Sequence, residues 1–293
     1  MKKRKLYRIL AVLLCLMIIV NGCGQDTIKL KKNNSSMDQG QEYNLITTGT
    51  TDIIFMGTAD DADCTILQVK EDGDIKTVMI DTGEDKDILH LQQLLEKYQI
   101  EELDLLIVTH PDKDHIGGLH TVVSSVMIKE VVIPYYLEQN EKYIRLLKQL
   151  IPVKNQVTVL TENTTRQYGG LFLSLYVPKK TYYKKDNNYS IATLAQYGQT
   201  KMFFAGDAMK DRTRELLQES LPEVDLYKIA YHGREYKDFD KLYWRLNPDY
   251  TVITAKEAED DVVDVLKESQ TQILYTRNQD ITFETDGINL NIS

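Results

Sequence analysis

The sequence predicts an α/β (α+β) domain in which two β-sheets pack together under a cover of helices. Three observations lead there. Twelve apolar segments rich in β-branched residues recur along the chain, each four to eight residues long and bounded by Gly, Asp, Asn or Pro. Five stretches with apolar residues at helical spacing fall between some of them. Their order is hairpin-like strands, then alternating helix and strand, then the same succession again, a pattern that two helix-covered sheets absorb.

In chain order, the first segment stands apart from that domain. Lys2, Lys3, Arg4, Lys5 and Arg8 precede an unbroken apolar run from Ile9 to Val20. Its length suits a signal-peptide core and falls short of the ~20 residues that span a bilayer comfortably. Val20-Asn21-Gly22-Cys23 follows. It resembles a bacterial lipoprotein signal, which implies cleavage before Cys23, lipid on that cysteine and a mature chain on the outer face of the cytoplasmic membrane. The alternative is a plain N-terminal membrane anchor, and either one leaves the rest of the chain extracytoplasmic. Residues 1–22 are thus expected to be a signal peptide. Residues 23–45, polar and rich in Asn, Ser and Gln, read as a flexible tether. Residues 46–293 form the domain, a length that suits one large unit.

Within the domain the strands read "DIIFMG", "CTILQV", "KTVMID", "LDLLIVT", "EVVIPY" and "QVTVL", then "LFLSLYV", "SIATLAQY", "KMFFAG", "LYKIAYH", "YTVIT" and "TQILYT". The helices read "DKDILHLQQLLEKYQI", with Ile88, Leu91, Leu94 and Leu95 on one face, "QNEKYIRLLKQLI", "MKDRTRELLQESL", "DKLYWRLNPDY" and "EDDVVDVLKESQ". Trp244, near Leu242 and Leu246, is expected in the core. His90 and His120 are expected at the surface or in packing.

Composition limits the partners. The whole chain carries a net charge of −9, and loss of residues 1–22 removes five basic residues and no acidic ones, leaving −14. Such a surface repels nucleic acid at long range, so a polyanionic substrate must be held locally by metal or a small basic patch. Cys15 leaves with the signal and lipidation consumes Cys23, so Cys64 remains alone and reads as a packing residue.

The chemistry concentrates in "HPDKDH", which follows the strand "LDLLIVT". His110, Asp112, Asp114 and His115 are all metal-ligating types. Four ligands so close in sequence serve one small ion poorly, but they divide readily between two ions about 3.5–4 Å apart, each completed from elsewhere. Gly117-Gly118 then allows close backbone approach. Completion is available at other strand exits: Asp207 after "MFFAG", His232 in "KIAYHG" and Asp81 in "VMIDTG".

"THPDKDHIGGL" resembles the first metal motif of the metallo-β-lactamase fold, in the variant with Asp for the second His found in the hydrolase domain of ComEC-type DNA-uptake proteins. The likeness runs from about Asp52 to Ile292. It includes "IIFMGTADDADCTILQV", "VMIDTG", "NNYSIAT", "FFAGD", "KIAYHG" and "ILYTRNQDITFETDG" in order. The resemblance implies an αββα four-layer sandwich and two divalent metal ions, Zn or Mn. It implies that His110 and Asp112 bind the first ion, that Asp114, His115 and His232 bind the second, and that Asp207 bridges them. Asp81 would brace the ligand loops, and Asn187 or Asn188 would be a weak ligand or substrate contact. Two departures stand out. Tyr231 occupies a position where the family commonly has histidine, and Gly57 stands where its opening turn carries an aspartate, although Asp60, Asp61 and Asp63 follow closely.

A site of this kind implies a metal-activated hydroxide, with Asp114 orienting it and Tyr231, His232 or Lys228 as leaving-group acid. The carboxylate-rich set suits manganese as well as zinc. The expected activity is hydrolysis of phosphodiester bonds, in nucleic acid or in an envelope polymer. Rival expectations are hydrolysis of a lactone, lactam or thioester, and a non-catalytic surface binding or accessory protein with a degenerate site. The loop "KKTYYKKDNNY" offers four lysines and three tyrosines near this region. They can bind a phosphate-bearing or aromatic substrate, or simply be solvated.

Overall fold

Three apolar layers hold four layers of secondary structure together. The computed structural model describes residues 47–136 and 140–293, so the expected signal peptide, Cys23 and the tether lie outside the described residues. The chain opens with an antiparallel meander, β1 (Thr50–Phe55), β2 (Thr65–Glu71) and β3 (Asp74–Ile80). The turn between β2 and β3 is Asp72-Gly73, both at positive φ, the conformation a two-residue hairpin demands. Helix α1 (Ile88–Lys97) follows, then the two-residue β4 (Glu102–Leu103) and the strand β5 (Leu105–Ile107). The short helices α2 (Lys113–Ile116) and α3 (Leu119–Ser125) lead through β6 (Met127–Ile128) to β7 (Val131–Pro134), and α4 (Glu141–Gln149) leads to β8 (Val157–Leu160).

The second half repeats the plan. A meander of β9 (Thr164–Tyr168), β10 (Leu171–Tyr176), β11 (Ala192–Tyr197) and β12 (Thr200–Phe204) comes first. Helices α5 (Lys210–Leu216), α6 (Phe239–Leu246) and α7 (Asp260–Ser269) then alternate with β13 (Leu226–Lys228), β14 (Tyr250–Ile253) and β15 (Gln272–Tyr275). Finally β16 (Ile281–Thr285) and β17 (Leu290–Ile292) return to the first sheet beside β1. The sheets run β17-β16-β1-β2-β3-β5-β7-β8 and β15-β14-β13-β12-β11-β10-β9. In each, the meander half is antiparallel and the helix-connected half is parallel.

Side-chain alternation builds the layers. Ile53 and Phe55 face the second sheet, where they join Leu173, Phe204 and Leu226, while Ile54 points outward to Leu91 and Leu94 of α1. In the same way Met202 and Phe204 face inward, and Phe203 packs outward with Leu216, Leu242 and Leu266. Strands covered on both faces read as continuous apolar runs, which is why they were so visible in the sequence. All twelve expected strands and all five expected helices form, and the architecture is the αββα sandwich. Cys64 is buried among apolar neighbours, and burial pushes its thiol pKa up, so it is an inert packing residue.

One core assignment is corrected. Trp244 is 43% exposed, with its ring edge-on to Tyr243, while Leu242, Tyr243 and Leu246 are fully buried. It sits two positions from either leucine, about 200° around the helix, and therefore on the opposite face. His120 is exposed, and His90 is half-buried with its Nε2 2.7 Å from Asp280.

The face assignment of α6 has a measurable consequence. Leu242→Ala should cost about 2–5 kcal/mol through the cavity it leaves, and Trp244→Ala about 0.5 kcal/mol or less. Denaturant unfolding of the two variants checks this, and equal losses would contradict the orientation of the helix.

Candidate metal centre

The parallel strands of both sheets end along one rim, and the chemistry gathers there. β3 exits into Asp81, β5 into Thr109-His110, β12 into Gly206-Asp207, and β13 into the turn carrying His232. After β5, Asp112 is extended (φ −73°, ψ 150°) and its carbonyl accepts the amides of His115 and Ile116, which starts the one-turn helix α2. This turn places Asp114 and His115 side by side. Gly117 and Gly118 lie against the loop after β3: a Cβ on Gly117 would come within 2.3 Å of the Asp85 nitrogen, and one on Gly118 within 2.3 Å of the Thr82 carbonyl oxygen. The glycine pair lets the ligand helix dock on the Asp81 turn, where Thr82 N donates to His115 O at 2.8 Å and Gly117 N to Gly83 O at 2.8 Å.

Six expected ligands converge. Asp207 Oδ1 lies 3.3 Å from both His115 Nε2 and His232 Nε2, and its Oδ2 lies 3.9 Å from His110 Nε2. Asp114 Oδ2 is 3.4 Å from His232 Nε2 and 3.9 Å from His115 Nε2, and Asp112 Oδ2 is 3.9 Å from His110 Nε2. The two oxygens of Asp207 thus face two different groups of donors, as a bridging carboxylate must. His110 Nε2, His115 Nε2, His232 Nε2 and Asp207 Oδ1 are all buried without a hydrogen-bond partner. A buried polar atom left unpaired costs about 1–3 kcal/mol; His115 Nε2, His232 Nε2 and Asp207 Oδ1 face one another and fit a bound cation, and His110 Nε2 faces the other oxygen of Asp207. Asp114, His115, Asp207 and His232 offer donor atoms all within 4.8 Å of one another, a set that can hold one metal ion.

The other ring nitrogens explain the orientation. His115 Nδ1 is 2.7 Å from Asp81 Oδ2, an acceptor only, so Nδ1 carries a proton and the neutral ring presents its lone pair at Nε2. Thr109 donates to the same Asp81 oxygen at 2.6 Å, which leaves its hydroxyl oxygen to accept from His110 Nδ1 at 3.1 Å. His232 Nδ1 faces Thr254 Oγ1 at 3.0 Å and Asp63 Oδ1 at 3.3 Å. Asp81 is fully buried at positive φ, and it also accepts the Thr109 amide at 2.8 Å. It therefore braces two imidazoles at once, the role expected of it.

Other expected residues are sorted by the geometry. Asn187 faces the centre, with Nδ2 donating to Asp207 Oδ2 at 3.1 Å. Asn188 does not: it is buried, and its side-chain oxygen accepts the Arg212 amide at 3.0 Å at the start of α5. Tyr231 adopts left-handed backbone (φ 53°, ψ 38°), and its ring is covered by the Arg234 guanidinium at 5.2 Å. Lys228 is buried and ion-paired to Asp63 behind the imidazoles, where a leaving group has no access. Of the four loop lysines, Lys179 pairs with Glu219 just after α5 and Lys180 with Asp211 in α5, while Lys184 and Lys185 are exposed.

Sequence reasoning assigned no part to Asp63 or Lys142, and none to Ser190. Asp63 was visible only as one of a run of acids. Ser190 Oγ accepts the Asp207 amide at 3.0 Å and donates to Asn187 O at 2.7 Å, tying two parts of the centre together. Lys142 Nζ reaches from α4 to Asp112 Oδ1 at 2.8 Å. An isolated lysine on an amphipathic helix carries no signal of such a contact.

The electrostatics are those of an anionic pocket. Burial opposes an imidazolium at His115 and at His232, but Asp207 with the other carboxylates outweighs it and holds both pKa values well above 6.5. His110 is shifted down by burial and by the His115 charge. Burial pushes Asp207 up, and His232 and His115 more than reverse this. At Asp114 burial is likewise outweighed by His232 and His115, and the carboxyl is lowered to about 2.

Comparison with known proteins agrees with this geometry. Residues 57–254 match the family described as the Metallo-beta-lactamase superfamily. Recombination protein 2 of Haemophilus influenzae is 23% identical over 153 residues, 52% of this chain and 18% of that protein. ComE operon protein 3 of Bacillus subtilis is 24% identical over 158 residues, 53% of this chain and 20% of that protein. The aligned region thus spans about a fifth of either relative. Among solved structures, the metallo-beta-lactamase fold protein YhfI from Bacillus subtilis superposes with a TM-score of 0.52 at 11% identity, covering 81% of this chain and all of that one. A variant of the CmlA beta-hydroxylase of Streptomyces venezuelae gives 0.52 at 13%, covering 79% and 53%.

The imidazole shifts set a pH dependence. Raised pKa values at His115 and His232 stabilise the metal-free protein fully below about pH 6.5, and that stabilisation is lost as pH rises through the folded-state values. Metal binding requires the neutral imidazoles, so ions compete with these protons. The rise in melting temperature on adding Mn²⁺ or Zn²⁺ should therefore be small near about pH 5.5 and larger near about pH 8.5. A rise that shrinks with increasing pH would contradict the ligand assignment.

Proposed function

The chain belongs to the metallo-beta-lactamase superfamily, and on that premise we propose that it is an extracytoplasmic, membrane-tethered, two-metal hydrolase of phosphodiester bonds. The observation that carries this reading is the meeting of His115 Nε2, His232 Nε2 and Asp207 Oδ1, buried and unpartnered, beside Asp114 at the rim of both sheets, with the equally unpartnered His110 Nε2 on the other side of Asp207. His110, Asp112 and Asp207 would hold the first ion. Asp114, His115, Asp207 and His232 would hold the second. Imidazole and carboxylate donors suit zinc and manganese alike.

Bound divalent ions acidify a coordinated water and polarise the oxygen of the scissile bond. The remaining work falls to the chain. Asp114 is a quarter exposed on the open side of the ligand set, placed to take a proton from an attacking water and to orient it. Asp81, Thr109 and Asp63 keep the imidazoles turned so that Nε2 faces inward. Tyr231 is the candidate proton donor to a leaving group; His232 is not, because its Nε2 belongs to the ligand set and its Nδ1 faces Thr254 and Asp63. Lys228 is not one, because Asp63 holds its ammonium behind the ligands.

Asp112 in place of histidine supports phosphodiester over lactam substrates, and the likeness to the DNA-uptake branch supports nucleic acid as the polymer. The net charge of −14 on the expected mature chain supports an envelope phosphodiester instead. The tether is read from residues 1–45 alone: a lipid on Cys23 would hold the domain at the outer face of the cytoplasmic membrane.

Two experiments test this reading. The purified chain with Mn²⁺ or Zn²⁺ should hydrolyse bis(p-nitrophenyl) phosphate, and Asp114→Ala should lower the rate by about 10²–10⁴-fold. Preference for a neutral thioester or lactone would redirect the substrate class. Loss of nothing in Asp114→Ala would remove that residue from the chemistry. Separately, metabolic labelling with a fatty-acid analogue should mark the wild-type chain and not Cys23→Ser, and an unlabelled wild-type chain would exclude the lipid anchor.

A further inference from the structure

The two halves of the centre are unequally prepared for a cation. In one half, His115 Nε2, His232 Nε2 and Asp207 Oδ1 are buried without partners, and Asp114 completes a set within 4.8 Å. In the other, His110 Nε2 is equally free and faces Asp207 Oδ2 and Asp112 Oδ2, each at 3.9 Å, but both carboxylates carry a donor from elsewhere. Asp207 Oδ2 accepts from Asn187 Nδ2 at 3.1 Å, and Asp112 Oδ1 accepts from Lys142 Nζ at 2.8 Å.

These two engagements differ in kind. A half-turn of the Asn187 amide replaces its donor by an acceptor oxygen, so this residue can yield to a metal. An ammonium has donors only. Lys142 is also anchored: a second carboxylate, Asp186, holds Nζ at 3.1 Å. Asp186 is itself fixed by the Tyr136 hydroxyl at 2.6 Å and the Asn140 amide at 3.2 Å. The lysine thus stands between two acids at the edge of the His110 half.

We propose that Lys142 is a built-in competitor for the first metal position, so that the chain binds one divalent ion tightly at Asp114, His115, Asp207 and His232 and a second one weakly at His110 and Asp112. A positive charge on the same carboxylate repels a dication and leaves that carboxylate one oxygen fewer to offer. Occupancy of the weak position then follows the free metal concentration, and an anionic substrate at the mouth of the centre raises it by adding negative charge. The proposal rests on the reading of this centre as a two-metal site.

Titration of the metal-stripped chain with Mn²⁺, followed by the resonance signal of the free ion and by calorimetry, tests it. Wild type should show two unequal binding events, with His232→Ala abolishing the tight one and His110→Ala only the weak one. Lys142→Met keeps the aliphatic stem and removes the charge. It should tighten the weak event by on the order of 10–100-fold, the range over which groups behind metal ligands act, and leave the tight event unchanged. Lys142→Arg should keep the wild-type pattern. Two equal affinities in wild type would overturn the proposal, as would a weaker or unchanged second event in Lys142→Met, the result expected if the lysine merely orients Asp112. Those results leave the hydrolase reading standing, whereas a chain that takes up no metal at all overturns both.

Discussion

Five carboxylates crowd one rim of this protein, and their mutual repulsion is the constraint on which the rest of the structure depends. Asp63, Asp81 and Asp207 are buried, and Asp112 and Asp114 are partly exposed. Charges this close, in a pocket largely closed to water, are tolerated only when cations or donors answer them. Each aspartate has such an answer: Lys228 for Asp63, Thr109 and His115 for Asp81, Lys142 for Asp112, and His115 and His232 for Asp207 and Asp114. What stays unanswered is a small set of inward-facing atoms, and that remainder has the chemistry of a divalent cation site.

The repeated architecture makes the arrangement possible. Each half of the chain ends its meander in parallel strands, whose carboxyl ends carry the loops, and the two sheets stack so that both sets of loops meet. Ligands from the first sheet (His110, Asp112, Asp114, His115) and from the second (Asp207, His232) are therefore brought together by sheet packing, not by local sequence. The apolar layer between the sheets has a functional consequence: Phe55, Phe204, Leu226 and their neighbours set the spacing between the two ligand groups. A shift of the sheets would pull Asp207 away from the histidines it faces.

A gradation in rigidity follows from the same contacts. Around His115, His232 and Asp207 almost every second atom is fixed by a buried hydrogen bond, and Arg212 adds to this by tying Ser190 O and Tyr176 O to α5. Around Asp112 the partners are half-exposed, and they include a lysine on the first turn of a helix. One side of the centre is thus buried and preorganised, and the other is more open, with the Lys142 ammonium held against Asp112. Asp114, Asn187 and Lys142 are partly accessible on that open side.

The sequence by itself determined the layers, because strands buried on both faces must be apolar and amphipathic helices must repeat at 3.6 residues. It missed β9, whose "TTRQY" is polar on a half-exposed edge, and the short β4, β6 and β17, of two or three residues, which cannot show a period. It placed Trp244 inside because a bulky apolar residue near two leucines suggests a core, whereas the helix turns it away. The six converging donors were legible because metal-ligating types are rare at strand exits and recur in order. Which of Asn187 and Asn188 faces the centre, that Lys228 lies behind it, and that Lys142 reaches Asp112 were decided by tertiary structure alone. Those contacts join residues 24 to 165 positions apart in the chain, or turn on the direction of a single side chain. Neither is encoded in spacing or composition, because both depend on how two sheets and their helices settle against one another.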